Sequence, residues 1–181
     1  LLHKKDLTYR YDSSAEIYDK RYTDIQTQKF NEILGRSTID NCSVILDVGC
    51  GTGNFLGQNF SDVNHTCVGV DISFEMIKLA HKKYPNINFI VADADDLPFK
   101  EGTFDRIFSI THLQNMPEPL ITIEEMSRVA KVDAQLAISV LRKKWSLEKL
   151  YNHLTESHLI VCDIWTAKIE DIGAICEKQS E

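Results

Sequence analysis

Residues 44–53 read Val-Ile-Leu-Asp-Val-Gly-Cys-Gly-Thr-Gly, an apolar run that ends in an acid and breaks into three alternating glycines. A short run rich in β-branched residues and closed by glycine reads as a strand buried on both faces. A second such run, Cys67-Val68-Gly69-Val70, also ends in an acid, Asp71. The pair has a specific physical meaning. One strand delivers a glycine turn whose bare backbone can approach a ligand, and the next strand tip offers a carboxylate to a vicinal diol. Together they describe a nucleoside-binding crevice at the carboxyl ends of parallel strands.

Outward from this stretch, short apolar runs alternate with helical patterns. Strands are expected at 43–48, 66–70, 87–92, 104–110 and 135–141, and helices at 53–60, 73–84, 118–130 and 145–156. Such alternation indicates βαβ units around a parallel sheet. Ser73 suits a helix N-cap, and Pro85 forbids continuation of the helix it opens. Between Tyr9 and Leu34, spaced apolar residues and the Ser13/Glu16 capping-box spacing predict one or two amphipathic helices, with Gly35 as the stop. At the other end, the strands expected at 158–164 and 171–177 lie too close for a helical crossover and should pair as an antiparallel hairpin. The expected fold is α/β: a doubly wound, mostly parallel seven-stranded sheet with helices on both faces and an antiparallel last strand. Residues 1–181 read as a single domain, with a helical lid over 1–36, a cofactor-binding core over 43–141, and a C-terminal helix and strand pair over 142–181.

Composition narrows the function classes. With 43% hydrophobic and 26% charged residues among 181, the chain is ordinary globular material. Its formal net charge of −7 argues against autonomous, phosphate-dominated nucleic-acid binding. The five cysteines form no C-x-x-C pair, so neither a zinc cluster nor a disulfide framework is expected, and no metal site is assigned. No apolar run is long enough to span a bilayer, and Leu1–Arg10 lacks a secretory apolar core, so a cytoplasmic protein is expected. The chain opens on Leu1 rather than Met, so a few residues are expected to precede it.

Two features favour a cationic nucleoside over a dinucleotide. The dinucleotide fingerprint is G-x-G-x-x-G, whereas Gly49-Cys50-Gly51-Thr52-Gly53 runs G-x-G-x-G into Asn54. Asp47 would also set a carboxylate beside a pyrophosphate, which is electrostatically wrong, but it suits a ligand carrying an ammonium and a sulfonium. Leu46-Asp47-Val48-Gly49-Cys50-Gly51-Thr52-Gly53 resembles motif I of the class I S-adenosylmethionine-dependent methyltransferases. The resemblance continues in order: Gly69–Ser73 resembles the strand-2 tip, Ala92–Phe99 the adenine-contacting segment, Phe104–Ser109 strand 4, and Glu124–Val129 the helix before strand 5. It covers roughly residues 9 to 141.

That resemblance implies S-adenosyl-L-methionine as cofactor and a set of roles. Gly49, Cys50, Gly51 and Gly53 would pass under the methionine portion, and Asp47 would lie near its amino group. Asp71 would accept the ribose hydroxyls, a match between two acceptor oxygens and a diol. Asp93 would accept from the adenine amine, with the Ala94 amide at a ring nitrogen. Ile72 lies either on the adenine face or in the core, and Ser109 either in the methionine pocket or in the core. Of four N-terminal tyrosines that resemble a family lid, Tyr18 and Tyr22 stand one turn apart as the cofactor-side pair. His112, in the polar stretch Thr111–Pro117, is the candidate to orient or deprotonate a nucleophile.

The acceptor implied is a small metabolite or a tRNA or translation component. The family signature [Asn/Asp/Ser]-Pro-Pro-[Tyr/Phe] is absent, which disfavours transfer to adenine N6 or a glutamine amide. An activator subunit or a homodimer is compatible with the resemblance. Two other readings stay open: a cofactor-binding but catalytically silent partner subunit, and an NAD-binding oxidoreductase.

Overall fold

The computed structural model describes residues 24–40, 43–61, 65–167 and 170–179. A helix over 24–34 (α1) precedes β1 (Val44–Val48), α2 (Asn54–Phe60), β2 (Thr66–Asp71), α3 (Phe74–Lys83) and β3 (Asn88–Val91). Then come β4 (Phe104–Ile110), a 3₁₀ turn (Leu113–Asn115), α4 (Pro119–Val129), β5 (Ala130–Leu141), α5 (Leu147–Glu156), β6 (Leu159–Thr166) and β7 (Asp171–Lys178).

The seven strands form one sheet in the order β3-β2-β1-β4-β5-β7-β6. β1 pairs parallel with β2 and β4, β2 with β3, and β4 with β5. The last strand, β7, inserts between β5 and β6 and is antiparallel to both, so the expected hairpin closes that side of the sheet. The strand order reverses beside β1, and ligands of such sheets bind outside the carboxyl ends at that switch point.

Alternation along the strands fills two cores. Leu46 and Val48 point to one face, under Ile123 and Met126 of α4 and Leu150 and Leu154 of α5. Ile45 points to the other face, with Phe30 and Ile33 of α1, Phe55 and Leu56 of α2, and Ile77 and Ala80 of α3. The helices therefore lie on both faces, as expected. Ser73 caps α3 by accepting from the Met76 amide at 3.2 Å. Element ends differ from the sequence reading by a residue or two, with one exception. β5 begins at Ala130 rather than 135: Ala130 pairs with Phe104, and the ladder resumes only at Gln135 opposite Arg106. Between these points Asp133 takes a φ of 61° and Val132 is exposed. An interrupted, half-solvated strand start carries no period-two signal.

Candidate functional site

The glycine turn is built around backbone bonds from β2. The Gly49 and Cys50 amides both donate to the Val70 carbonyl at 2.9 Å, so the chain leaving β1 curls over the neighbouring strand tip. Gly49, Gly51 and Gly53 all take positive φ (80°, 53° and 75°), which side chains strain to adopt. The three glycines answer to different neighbours. A Cβ on Gly49 would sit 2.4 Å from Nδ1 of His112, and one on Gly53 would sit 2.5 Å from the Phe89 ring. A Cβ on Gly51 would meet nothing within 4 Å. Gly51 faces open space.

That space is a crevice of about 750 Å³ at the carboxyl ends of β1, β2 and β4. Gly49 and Gly51 form its floor, Asp71, Ile72 and Met76 one wall, and Thr111 and His112 the opposite wall. Asp93 and Ala94 also line it. A second lobe of about 410 Å³ shares Gly49 and Gly51 and reaches Asp47, Cys50, and Gln26 and Phe30 of α1. The glycine turn thus separates two compartments of one cleft.

The carboxylates are held in different ways. Asp71 Oδ2 accepts the Gly51 amide at 3.0 Å and Oδ1 the Ser73 amide at 2.9 Å, which ties the strand tip to the turn. Asp93 accepts the Asp95 amide at 3.0 Å, fixing the turn after β3. Downstream, Glu125 accepts the Leu97 amide at 2.9 Å while Arg128 donates to the Phe99 and Leu97 carbonyls at 2.9 and 3.0 Å. α4 therefore clamps the segment that carries Asp93 and Ala94.

Asp47 is the electrostatic anomaly. Strand alternation sends it to the α1–α2 face, where it is 3% exposed. Burial, and secondly repulsion from Asp71, push its carboxyl up to about 8. Among the described residues no cation pairs with it. Burial, followed by Asp47 and Asp71, also raises the Cys50 thiol well above its ordinary value.

Of the residues expected in the site, Asp47, Gly49, Cys50, Gly51, Asp71, Ile72, Asp93, Ala94 and His112 line the two lobes. Two are placed elsewhere. The Ser109 side chain is fully buried, because alternation along β4 turns it away from the face that Ile110 and Phe108 share. Gly53 is the left-handed N-cap of α2 beneath Phe89, a packing position rather than part of the lining. Tyr18 and Tyr22 lie outside the described residues. Sequence reasoning missed Gln26 and Met76 in the lining, and the burial of Lys29 beside it. Lys29 carried a signal: it shares a helical stripe with Phe30 and Ile33, an apolar face on which a lysine is out of place.

A family model described as a methyltransferase domain matches residues 46–138, the span from the glycine strand to β5. The chain belongs to the class I S-adenosylmethionine-dependent methyltransferase family. Among its relatives is the malonyl-[acyl-carrier protein] O-methyltransferase of Marinomonas, 30% identical over 145 residues, covering 78% of this chain and 53% of that protein. An uncharacterized Methanocaldococcus jannaschii protein is 35% identical over 147 residues, covering 78% of this chain and 65% of its own length. This methyltransferase domain thus spans between half and two thirds of those relatives. The solved complex between the Haloferax volcanii Trm112 methyltransferase activator and a methyltransferase contains a chain of the same fold. It superposes with a TM-score of 0.84 at 18% identity, over 94% of this chain and 98% of that one. Among the described residues, no helix is long and apolar enough to cross a membrane.

Proposed function

We propose that this methyltransferase domain binds S-adenosyl-L-methionine in the two-lobed crevice and transfers its methyl group to an acceptor at the His112 wall. One observation carries the reading. Asp47, buried and lacking a cationic partner among the described residues, opens onto the lobe beside Gly51, whose missing side chain leaves the crevice clear. A dinucleotide pyrophosphate gains nothing from that carboxylate, whereas an amino-acid ammonium does. In this reading Asp47 holds the ammonium, Asp71 the ribose hydroxyls, Asp93 and the Ala94 amide the adenine edge, and Ile72 and Met76 its faces.

The bound cofactor supplies an activated methyl on a sulfonium that leaves as a neutral thioether. The protein's task is to orient and to exclude water, which can remove roughly 7–11 kcal/mol of barrier. No acid–base pair is mandatory. His112 lines the crevice on the β4 side and is the titratable group there that can orient an acceptor or accept its proton. The net charge of −7 favours a small metabolite over an unassisted phosphate-rich acceptor. For a tRNA or translation component we carry an accessory subunit in the proposal, on the ground that the Haloferax volcanii fold neighbour was solved with an activator.

Calorimetry with S-adenosylmethionine, S-adenosylhomocysteine and NAD, followed by a tritiated-methyl transfer screen over metabolite, protein and tRNA fractions, tests the reading. Binding of the first two compounds and label in one fraction is the expected result. Binding without turnover in any fraction, alone or with an accessory subunit, would reassign the chain as a silent partner subunit. Binding of NAD alone would make it an oxidoreductase.

A further inference from the structure

A buried polar cluster stands beside the crevice on the α1 face, and the roles assigned above leave most of it unused. Lys29 of α1, with its side chain 4% exposed, reaches Asp171 Oδ1 at 2.9 Å and donates to Thr111 Oγ1 at 3.0 Å. The Thr111 hydroxyl donates to Asp171 Oδ2 at 2.7 Å, and the Ser139 hydroxyl donates to the same oxygen at 2.9 Å. The Thr111 amide donates to the Ser139 carbonyl, also at 2.9 Å. Four elements meet here: α1, the end of β4, β5 and the start of β7.

The cluster surrounds a strained residue. Thr111 has a φ of 55°, a left-handed conformation that is a true outlier for a β-branched side chain and persists only where its surroundings impose it. Thr111 leads directly into His112, whose ring fills the space that a Gly49 side chain would need, and both residues line the crevice. A buried ion pair is weak evidence for stability, since well-packed apolar replacements often serve as well, and its best-attested use is to specify one arrangement. The Lys29–Asp171 pair does that at Thr111, by gripping its hydroxyl from both sides.

We propose that Lys29 and Asp171 are positioning residues. They latch α1 to the β4 tip and hold Thr111 left-handed, so that His112 closes against the glycine turn and completes the cofactor crevice. The inference rests on the S-adenosylmethionine reading above. Occupancy of the crevice and docking of α1 are then one linked equilibrium: whatever loosens α1 weakens the cofactor, and the cofactor tightens α1.

The test uses the whole chain. Lys29→Met combined with Asp171→Asn removes both charges without stranding either and leaves an amide oxygen to accept the Thr111 and Ser139 hydroxyls, so the melting temperature should stay near the parent's while S-adenosylhomocysteine affinity falls about tenfold by calorimetry. Hydrogen exchange of the 111–116 amides should rise in that variant and lose its response to the ligand. Thr111→Val removes only the bridging hydroxyl and should lower affinity several-fold, with Thr111→Ser recovering it. This second pair decides the matter if the double variant fails to fold. Parent-like affinity and exchange in the double variant, or equal affinity in the Thr111 pair, would make the cluster a packing feature and overturn the latch. Absence of binding by the parent itself would instead strike the cofactor reading, so the two failures are distinguishable.

Discussion

Asp71 Oδ2 accepts the amide of Gly51 at 3.0 Å, so the carboxylate proposed for the ribose also holds the glycine turn in place. The sequence suggests a ligand contact alone; the structure adds a strut. Asp71→Ala should therefore cost about 1–3 kcal/mol of cofactor affinity and also lower the melting temperature of the ligand-free protein. Asp71→Asn keeps one acceptor for a backbone amide and should retain more stability than affinity. Calorimetry and thermal melts measured together check this. A full loss of affinity with no change in melting temperature in Asp71→Ala would remove the strut.

Gly51 and Gly49 predict opposite failures. Gly51 has open space where a Cβ would go, so Gly51→Val should fold, at a strain cost of roughly 1–2 kcal/mol, and project its side chain into the crevice. Cofactor binding should disappear from a protein with parent-like circular dichroism. Gly49→Ala drives a methyl into the His112 ring and should destabilise the fold itself, with His112→Ala in the same chain restoring part of the loss. Additive effects of the two changes would contradict the contact.

Much of this was legible in the sequence because it rests on local rules. Val44–Val48, the three glycines, Asp47 and Asp71 are fixed by strand period, turn chemistry and spacing, and the structure places them at one switch point. Ser109 shows the limit: a motif locates a residue along β4, but only the facing of the strand against α4 and α5 shows which way it points. The early start of β5 was hidden because Lys131–Asp133 interrupts the ladder. Lys29 and Asp171 lie far apart in sequence, and no local pattern pairs them. Their meeting depends on β7 inserting beside β5 while α1 crosses the same face.

Glu125 and Arg128 join α4 to the segment after β3, and their removal should be felt in the crevice. Hydrogen bonding from Arg128 holds the Glu125 carboxyl below its ordinary value. A depressed carboxyl contributes stability above its unfolded-state pKa and loses it as pH falls through the folded one. Glu125→Ala should cost about 1–2 kcal/mol near neutrality, because the Leu97 amide loses its acceptor and Arg128 its partner. The difference from the parent should shrink on acidification below the usual carboxylate range. Cofactor affinity should drop several-fold through the loosened Asp93–Ala94 turn. Denaturant melts across pH, paired with calorimetry, test both halves, and a constant difference at low pH would deny the ion pair its role.

Asp47 makes the most direct electrostatic prediction. Its carboxyl titrates near 8 in the folded protein because burial, then Asp71, oppose its charge. The sign follows from linkage: a group that binds its proton more tightly when folded stabilises the fold below its unfolded pKa, and that contribution is lost as pH rises through the folded value. Ligand-free protein should therefore weaken between about pH 4 and pH 8 in a way that Asp47→Asn does not, and the Asn variant should gain relative stability toward alkaline pH. A cationic ligand group reverses the balance, since a nearby positive charge favours the carboxylate. Cofactor binding below pH 8 should then release a proton from Asp47, and calorimetry in buffers of different ionisation enthalpy would register it. Asp47→Asn should lose both the proton release and much of the affinity, while becoming the more stable protein. Retained proton release in that variant would assign the titration to another group and remove Asp47 from the ammonium site.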